Sequence, residues 1–274
     1  MQFEISRVGG TIGAEIRGVD LAHDLPEQTV AAIRQALLDH LVVFFRGQDL
    51  TPARYRDFAA RIGTPIDYPF VPGIEGFPEI TPVLKRPDQT INFGGVWHSD
   101  TTYLAEPPMA TLLLARELPA RGGDTEFANQ YLAYETLSDG MKSVLSGLRG
   151  VARSDKAEAS RTREDRTKKS GIAAEVLTAE HPVVRTHPET GRRALYVNIA
   201  HTAHFAGMTE EESLPLLRFL WAHQTRPEFT CRFTWSPGAL ALWDNRCAQH
   251  NAINDYQGQT RLMHRITLAG DVPR

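Results

Sequence analysis

Several features that would indicate a function are missing from this chain of 274 residues. Its 30 Lys and Arg residues stand against 33 Asp and Glu, so the net charge is −3 and there is no basic excess for nucleic acid. No apolar run approaches the roughly 20 residues that a membrane-spanning helix requires. The N-terminus, Met1-Gln2-Phe3-Glu4-Ile5, lacks a basic segment followed by an apolar one, so no secretory signal is predicted.

Cysteine is also scarce. Only Cys231 and Cys247 occur, and their spacing matches no metal-binding motif. The simplest interpretation is a cytoplasmic protein with reduced thiols, with neither nucleic acid nor a membrane as its partner. The composition, 42% hydrophobic and 23% charged, is ordinary for a globular protein. Because no repeat or linker divides the chain, we expect one domain over residues 1–274.

Short segments of strand character, bounded by glycine and proline, dominate the pattern. The predicted strands cover residues 41–45, 109–115, 125–128, 183–185, 194–197, 229–235, 239–243 and 261–269, after a hairpin within residues 3–19. Helices are predicted after Pro26, after Thr51-Pro52, over residues 129–147 and after the capping box from Thr209 to Glu212. Many short strands with turns between them indicate a sandwich or jelly roll.

One histidine and one aspartate stand two residues apart in Val96-Trp97-His98-Ser99-Asp100. On an extended segment such side chains point to the same side. They would supply two of the three ligands in the 2-His-1-carboxylate face that holds Fe(II) and leaves positions open for oxygen. About one such pair is expected by chance, and His187-Pro188-Glu189 is a second one, in a turn predicted between two strands. We prefer the first pair and expect His250 to be the third ligand.

Two further segments leave alternatives open. Prolines interrupt residues 63–95, which lead directly into the His98 segment; they form either a loop of the substrate pocket or a plain surface connection. Residues 154–171 are almost wholly charged or small, and are either a solvated loop or a lid that closes over an anion.

Two arginines near the C-terminus also suggest a binding site. Arg261 and Arg265 are four residues apart on a predicted strand, so both can face the same cavity. The planar guanidinium of an arginine binds a carboxylate through two hydrogen bonds.

In combination, four segments resemble the taurine dioxygenase family, also called the TauD/TfdA group, and the resemblance runs nearly end to end. The segments are Trp97-His98-Ser99-Asp100, Gly122-Gly123-Asp124-Thr125, the stretch from Trp243-Asp244-Asn245-Arg246 to His250, and Arg261-Leu262-Met263-His264-Arg265. The resemblance implies an α+β, mainly β protein with a double-stranded β-helix (jelly roll, cupin-like) core and flanking helices. It implies a dioxygenase that uses Fe(II), 2-oxoglutarate and O2.

The resemblance also implies roles for individual residues. By it, His98, Asp100 and His250 bind Fe(II), while Thr125 and Arg261 hold the distal carboxylate of 2-oxoglutarate. Arg265 is similar to an arginine that pairs with the anionic group of the substrate in several members. Trp243 matches a tryptophan beside the iron centre, although a plain core role is equally compatible with its position. The family also leads us to expect a homo-oligomer, a dimer or a tetramer.

The substrate pocket departs from taurine dioxygenase itself, which has a His and a Tyr where this chain has Tyr68 and Val71, and an Asn where this chain reads Gly94-Gly95. A pocket with fewer polar groups satisfies the ammonium group of taurine poorly. We therefore expect a larger or more apolar anion, such as an alkyl sulfate, alkylsulfonate, aryloxyalkanoate or fatty-acid derivative. Asn92 and Phe93 are further candidates for the pocket wall.

Three other hypotheses remain at this point. The His and Arg residues could serve only packing in a jelly roll. The chain could be a cupin-like metal-binding module without 2-oxoglutarate. It could also apply the same chemistry to a biosynthetic or carrier-tethered substrate.

Overall fold

The computed structural model describes residues 3–156, 158 and 175–274. Most of the segment 154–171, for which we predict a loop or a lid, lies outside these residues. Within the described part the helices are α1 (Glu27–His40), α2 (Pro52–Ile62), α3 (Gln130–Glu135), α4 (Asp139–Leu145) and α5 (Glu210–Gln224).

The strands follow one another closely along the chain. They are β1 (Glu4–Arg7), β2 (Ala14–Arg17), β3 (Val42–Phe45), β4 (Pro65–Ile66), β5 (Thr81–Lys85), β6 (Ala110–Glu117), β7 (Thr125–Asn129), β8 (Arg149–Arg153), β9 (Thr178–Pro182), β10 (Val184–Thr186), β11 (Arg193–Leu195), β12 (Thr202–Phe205), β13 (Thr230–Phe233), β14 (Leu240–Asp244), β15 (Ala248–Ala252) and β16 (Arg261–Leu268).

Two facing sheets form the body of the fold. The larger sheet has the strand order β1-β2-β3-β14-β6-β16-β4, with β5 also paired to β16, and the smaller sheet has the order β13-β7-β15. Their inner faces share a core in which Phe44 and Trp243 of the larger sheet meet Phe127 and Phe233 of the smaller one. The non-sequential, mostly antiparallel strand order across two packed sheets is that of the predicted jelly roll.

The central strand β6 shows why the larger sheet is covered on both faces. Successive side chains of a strand point to opposite sides, so Ala110, Leu112 and Leu114 pack in the outer core beneath helices α1 and α2. Leu113 and Ala115 point the other way, into the core between the two sheets. A strand that is buried on both faces has a continuous run of apolar residues, and this run is what predicts β6 from the sequence.

The remaining elements form a third layer. Strands β12, β8 and β9 form one small sheet, β10 and β11 form a hairpin, and α3, α4 and α5 pack with them around a separate core. Helix α5 begins at the predicted capping box, with both hydrogen bonds between Thr209 and Glu212 present. Among the described residues, no helix has the length and apolar character that crossing a membrane would demand.

One predicted helix differs from the structure. Residues 129–147 are not one helix but two, α3 and α4, because each has its own N-terminal cap. The side chain of Asn129 accepts a hydrogen bond from the Leu132 amide at 3.0 Å, and that of Ser138 accepts one from the Met141 amide at 3.2 Å. Ser138 therefore starts a new helix where the apolar spacing alone suggests continuation.

Candidate active site

His98 and His250 lie directly opposite each other at the edge of the smaller sheet that strand β15 forms. His250 belongs to β15, and the segment around His98 adds to that strand through a single antiparallel bridge. The His98 amide donates to the His250 carbonyl at 3.0 Å, and the His250 amide donates to the His98 carbonyl at 2.8 Å. Paired residues carry their side chains on the same face, and the centroids of the two rings are 4.1 Å apart.

Asp100 completes the cluster from a turn rather than from a strand. The chain reverses directly after it, where Thr101 has a φ of 44°, and the Asp100 Oδ1 atom lies 3.6 Å from His98 Nε2. One possible ligand atom from each of His98, Asp100 and His250 lies within 4.8 Å of the others. The predicted convergence of His98 and Asp100 is therefore present, although the extended geometry assumed for it ends at His98.

The protonation states of the cluster suit metal binding. Burial lowers the pKa of His250 to about 3, and the neighbouring His98 acts in the same direction, so the imidazole is neutral. Burial on its own would raise the pKa of Asp100, but His98, His250 and Arg265 outweigh it and hold that pKa well below its usual range. The His98 Nδ1 atom lies 2.7 Å from the Val96 carbonyl oxygen, which fixes Nδ1 as the donor and leaves the Nε2 lone pair facing the cluster. A divalent metal requires a neutral imidazole and an ionised carboxylate.

A cavity lies on one side of the cluster. Thr125, Trp243, His250, Arg261 and Arg265 are among its walls. Arg261 is 4% exposed, and its Nε and Nη2 atoms have no hydrogen-bond partner among the described residues. A buried guanidinium without a paired anion is energetically costly, so this cavity is suited to an anionic ligand.

The positions of Thr125 and Gly123 explain how Arg261 is held. Trp235 Nε1 donates a hydrogen bond to Thr125 Oγ1 at 3.0 Å, which orients the Thr125 hydroxyl in the cavity wall. Gly123 has a φ of 73°, and a Cβ atom there would lie 3.1 Å from the Cδ of Arg261. The positive φ favours glycine here, and a larger residue would also crowd the Arg261 side chain.

A second cavity lies beside His98 and Asp100. Its walls combine three aromatic side chains, Tyr68, Phe93 and Tyr103, with polar groups that include Thr101 and His201. Arg265 contributes to both cavities. Its guanidinium carbon lies 4.2 Å from the centre of the Tyr68 ring and 5.4 Å from that of Phe93.

Arg265 has unused hydrogen-bonding capacity. Its Nη1 atom is 3.7 Å from Asp100 Oδ1, beyond ordinary hydrogen-bond length. Its Nε and Nη2 atoms have no partner within the described ranges. The structure thus places a second buried guanidinium beside the cluster, enclosed by aromatic rings.

The predicted pocket residues do not all reach these cavities. Tyr68 and Phe93 line the second cavity, so the proline-rich stretch 63–95 does supply cavity walls. Val71 packs against the same aromatic cluster without lining either cavity described here. Asn92 is 4% exposed and donates from Nδ2 to the Ala252 carbonyl at 2.9 Å, so it ties its loop to β15 instead.

The second pair of the sequence, His187 and Glu189, does not converge on a ligand cluster, because Glu189 accepts hydrogen bonds from Arg246 and Arg34. His187 faces a different acid: its Nε2 atom lies 3.0 Å from Asp244 Oδ2, and Cys247 is close enough to complete a possible metal cluster. However, Arg246 donates from Nε and Nη2 to the two Asp244 carboxylate oxygens at 2.8 and 2.6 Å. The carboxylate is therefore already occupied by an ion pair.

Sequence reasoning missed several residues around the cluster, notably Tyr103, His201, Trp235, Thr111 and Asn245. Tyr103 and His201 follow from no motif, although both line the second cavity. Trp235 contacts Thr125 over 110 residues of chain, and Asn245 contacts Thr111 over 134. Only Asn245 carried a signal, because it belongs to the Trp243-Asp244-Asn245-Arg246 segment.

Comparison with known proteins gives consistent matches. The family described as "Taurine catabolism dioxygenase TauD, TfdA family" matches residues 4–267. The alpha-ketoglutarate-dependent sulfate ester dioxygenase of Pseudomonas putida is 37% identical over 284 residues, which cover 100% of this chain and 91% of the relative. An alkylsulfatase of Acinetobacter baylyi is 36% identical and covers 99% and 86%.

A solved structure extends the likeness to the fold. The crystal structure of a taurine dioxygenase from Burkholderia xenovorans matches with a TM-score of 0.84 and 39% identity. The match covers 100% of this chain and 91% of that one. The sheets described above are therefore shared over essentially the whole chain.

Proposed function

The chain belongs to the TauD, TfdA family of taurine catabolism dioxygenases, and from this premise we propose that His98, Asp100 and His250 hold its iron. It is a 2-oxoglutarate-dependent dioxygenase, and enzymes of this kind use Fe(II), 2-oxoglutarate and O2. The observation that carries the assignment is the convergence of two imidazoles and one carboxylate within 4.8 Å. Family membership also disfavours the hypothesis of a metal-binding module without 2-oxoglutarate.

His98, Asp100 and His250 suit Fe(II) as a ligand set. Two neutral imidazoles and a single carboxylate are the donor set that non-haem Fe(II) oxygenases use, and they leave other coordination positions open. When bound, Fe(II) with 2-oxoglutarate supplies oxygen activation coupled to the loss of CO2. The protein's own contribution is to present His98, Asp100 and His250 from one end of the jelly roll, with His250 neutral and Asp100 ionised.

We assign the cavity of Arg261 to 2-oxoglutarate. The unpaired Nε and Nη2 atoms of Arg261 can bind the distal carboxylate of the cosubstrate as a fork. The Thr125 hydroxyl accepts from Trp235 and can donate its own hydrogen to the same carboxylate. The Arg261 guanidinium is almost fully buried and makes no ion pair with a described carboxylate, so an anionic ligand would offset the cost of burying its charge.

We assign the aromatic cavity to the substrate, with Arg265 binding its anionic group. The relatives named for sulfate esters and the one named for taurine point to different substrates, and the walls of the cavity favour the former. Asp100 is the one acidic residue among the described walls, and it belongs to the metal cluster. Taurine's ammonium would find no carboxylate there other than Asp100, whereas an alkyl chain would pack on Tyr68, Phe93 and Tyr103.

The chemistry follows from an alkyl sulfate in this position. One C–H bond of the carbon next to the ester oxygen is replaced by C–OH, with one oxygen atom taken from O2. The other oxygen atom enters succinate as 2-oxoglutarate loses CO2. The hydroxylated carbon then expels sulfate by breaking its C–O bond, and the hydroxyl loses its proton to become an aldehyde carbonyl.

The test is an anaerobic absorption spectrum followed by product analysis. Apoprotein that receives Fe(II) and then 2-oxoglutarate should develop a visible charge-transfer band. With air, octyl sulfate should give sulfate and succinate in equal amounts, whereas hydroxylated taurine would release sulfite. Correctly folded, iron-loaded protein without the band would contradict the site assignment, and faster turnover with taurine would contradict the substrate assignment.

Three broader assignments complete the proposal. We propose that residues 1–274 act as one domain, since the two sheets and the third layer all contribute residues to one cluster of cavities. We propose a cytoplasmic location, because both cysteines are buried thiols. We also propose a homo-oligomer, a dimer or a tetramer, which sedimentation of the purified protein would test.

A further inference from the structure

Within the buried part of β6, residues 110–115, Thr111 is the one polar side chain. Thr111 stands between Ala110 and Leu112, and it is fully buried. Alternation along the strand points it to the inner face, the same face as Leu113, which lines the Arg261 cavity. Valine has nearly the same shape and buries no hydroxyl, so packing alone does not account for a threonine here.

The Thr111 hydroxyl belongs to a closed hydrogen-bond network. Asn245 Nδ2 donates to Thr111 Oγ1 at 2.8 Å, and Thr111 Oγ1 lies 2.7 Å from Asp100 Oδ2. Because a hydroxyl has one hydrogen and the amide nitrogen can only donate, that hydrogen must go to Asp100. Asn245 Oδ1 in turn accepts from Trp243 Nε1 at 2.9 Å and from the Asp100 amide at 3.2 Å.

The network treats the two carboxylate oxygens of Asp100 differently. Oδ2 is engaged by the Thr111 hydroxyl in a short, charge-assisted hydrogen bond. Oδ1 is the oxygen that approaches His98 Nε2, at 3.6 Å, and Arg265 Nη1, at 3.7 Å. The carboxylate is thus held in one orientation, with a single oxygen directed towards the ligand cluster.

We propose that Thr111 is a positioning residue that keeps Asp100 a one-oxygen ligand. The inference rests on the proposed function, because it takes Asp100 to be an iron ligand. A carboxylate that bound through both oxygens would take a coordination position that 2-oxoglutarate or oxygen needs. Asn245 and Trp243 support this orientation. Trp243 holds the Asn245 amide, and the amide donates to the Thr111 oxygen, so the hydroxyl hydrogen is left to point to Oδ2 of Asp100.

The experiment compares Thr111→Val, which keeps the shape and removes the hydroxyl, with Thr111→Ser, which keeps the hydroxyl. Each full-length apoprotein is loaded with Co(II), whose visible d–d spectrum reports the coordination of the metal, and then titrated with N-oxalylglycine, an inert analogue of 2-oxoglutarate. The Val variant should bind Co(II) about tenfold more weakly, in line with other residues that orient metal ligands. It should also show a changed d–d spectrum and about tenfold weaker binding of N-oxalylglycine, while the Ser variant restores both.

The outcomes distinguish a failure of the proposed function from a failure of the role proposed for Thr111. Wild-type protein that binds neither Co(II) nor N-oxalylglycine would overturn the proposed function. Wild-type protein that binds both, with a folded Val variant that matches it in spectrum and affinity, would overturn the role of Thr111 alone. A merely structural role would lower the Tm and leave the spectrum unchanged. If the Val variant does not fold, Thr111→Ala, which leaves room for water in place of the methyl and hydroxyl groups, is measured in the same way.

Discussion

His98 and His250 are joined by two backbone hydrogen bonds, although 152 residues of sequence separate them (250 − 98). The pairing makes their relative position a property of the sheet rather than of a flexible loop. The two hydrogen bonds of this bridge tie the His98 segment to strand β15, so the sheet fixes the position of both imidazoles. The bridge therefore fixes two of the three residues of the cluster, and Asp100 is added from the following turn.

Replacing one member of this pair should remove metal binding. We expect His250→Ala to abolish the visible band that Fe(II) and 2-oxoglutarate produce, since two ligands cannot hold the iron in the required geometry. The matched control is His187→Gln, which alters the other buried histidine–acid cluster and keeps a donor for Asp244. The control should retain the band, and its loss in both variants would argue that the effect is on folding.

Arg261 should govern the affinity for 2-oxoglutarate. Arg261→Lys keeps the charge but removes the planar fork, so we expect the KM for 2-oxoglutarate to rise about 10- to 100-fold, the cost of a lost charged hydrogen bond. The KM for the substrate should change far less. Arg54→Lys, on the exposed surface of α2, serves as the control. An unchanged KM in the Arg261 variant would remove 2-oxoglutarate from this cavity.

The sequence was sufficient to predict the overall architecture, and the three residues that it nominated as metal ligands lie close together in the structure. Apolar runs such as that of β6 and the capping box at Thr209 are local signals, and both correspond to observed elements. The partners of Asp100 were not predictable in the same way. Asn245 reaches Thr111 over 134 residues, and a threonine inside an apolar strand reads as an ordinary strand residue until its neighbours are known.

The buried ion pair at Asp244 should be a large contributor to stability. Asp244 is fully buried and accepts hydrogen bonds from His187 and Arg246. Asp244→Asn leaves the Arg246 guanidinium without its full charge partner, so we expect a loss of about 3–5 kcal/mol in the free energy of unfolding. Asp57→Asn removes an exposed partner of Arg56 and should cost less than about 0.5 kcal/mol. Urea denaturation of both variants makes the comparison, and equal losses would contradict a special role for the buried pair.

His264 should make stability depend on pH. Burial lowers its pKa to about 4, and Arg116 acts in the same direction, whereas an unfolded histidine titrates near 6.5. Between pH 6.5 and about pH 4 the unfolded chain binds a proton at His264 that the folded protein does not bind. The contribution of His264 to the free energy of unfolding is therefore complete above pH 6.5 and is lost by about pH 4. Because the ring is partly exposed, we expect this loss to be about 1 kcal/mol rather than the full value of the shift.

The measurement is urea denaturation at a series of pH values between 4 and 7. His264→Gln removes the titrating group and should flatten the pH dependence by that amount over this interval. His23→Gln, at an exposed position on the surface, is the control and should leave the curve unchanged. A His264 variant whose stability falls with pH as steeply as that of the wild type would show that other groups govern the dependence, because the proton taken up on unfolding would then have to bind elsewhere.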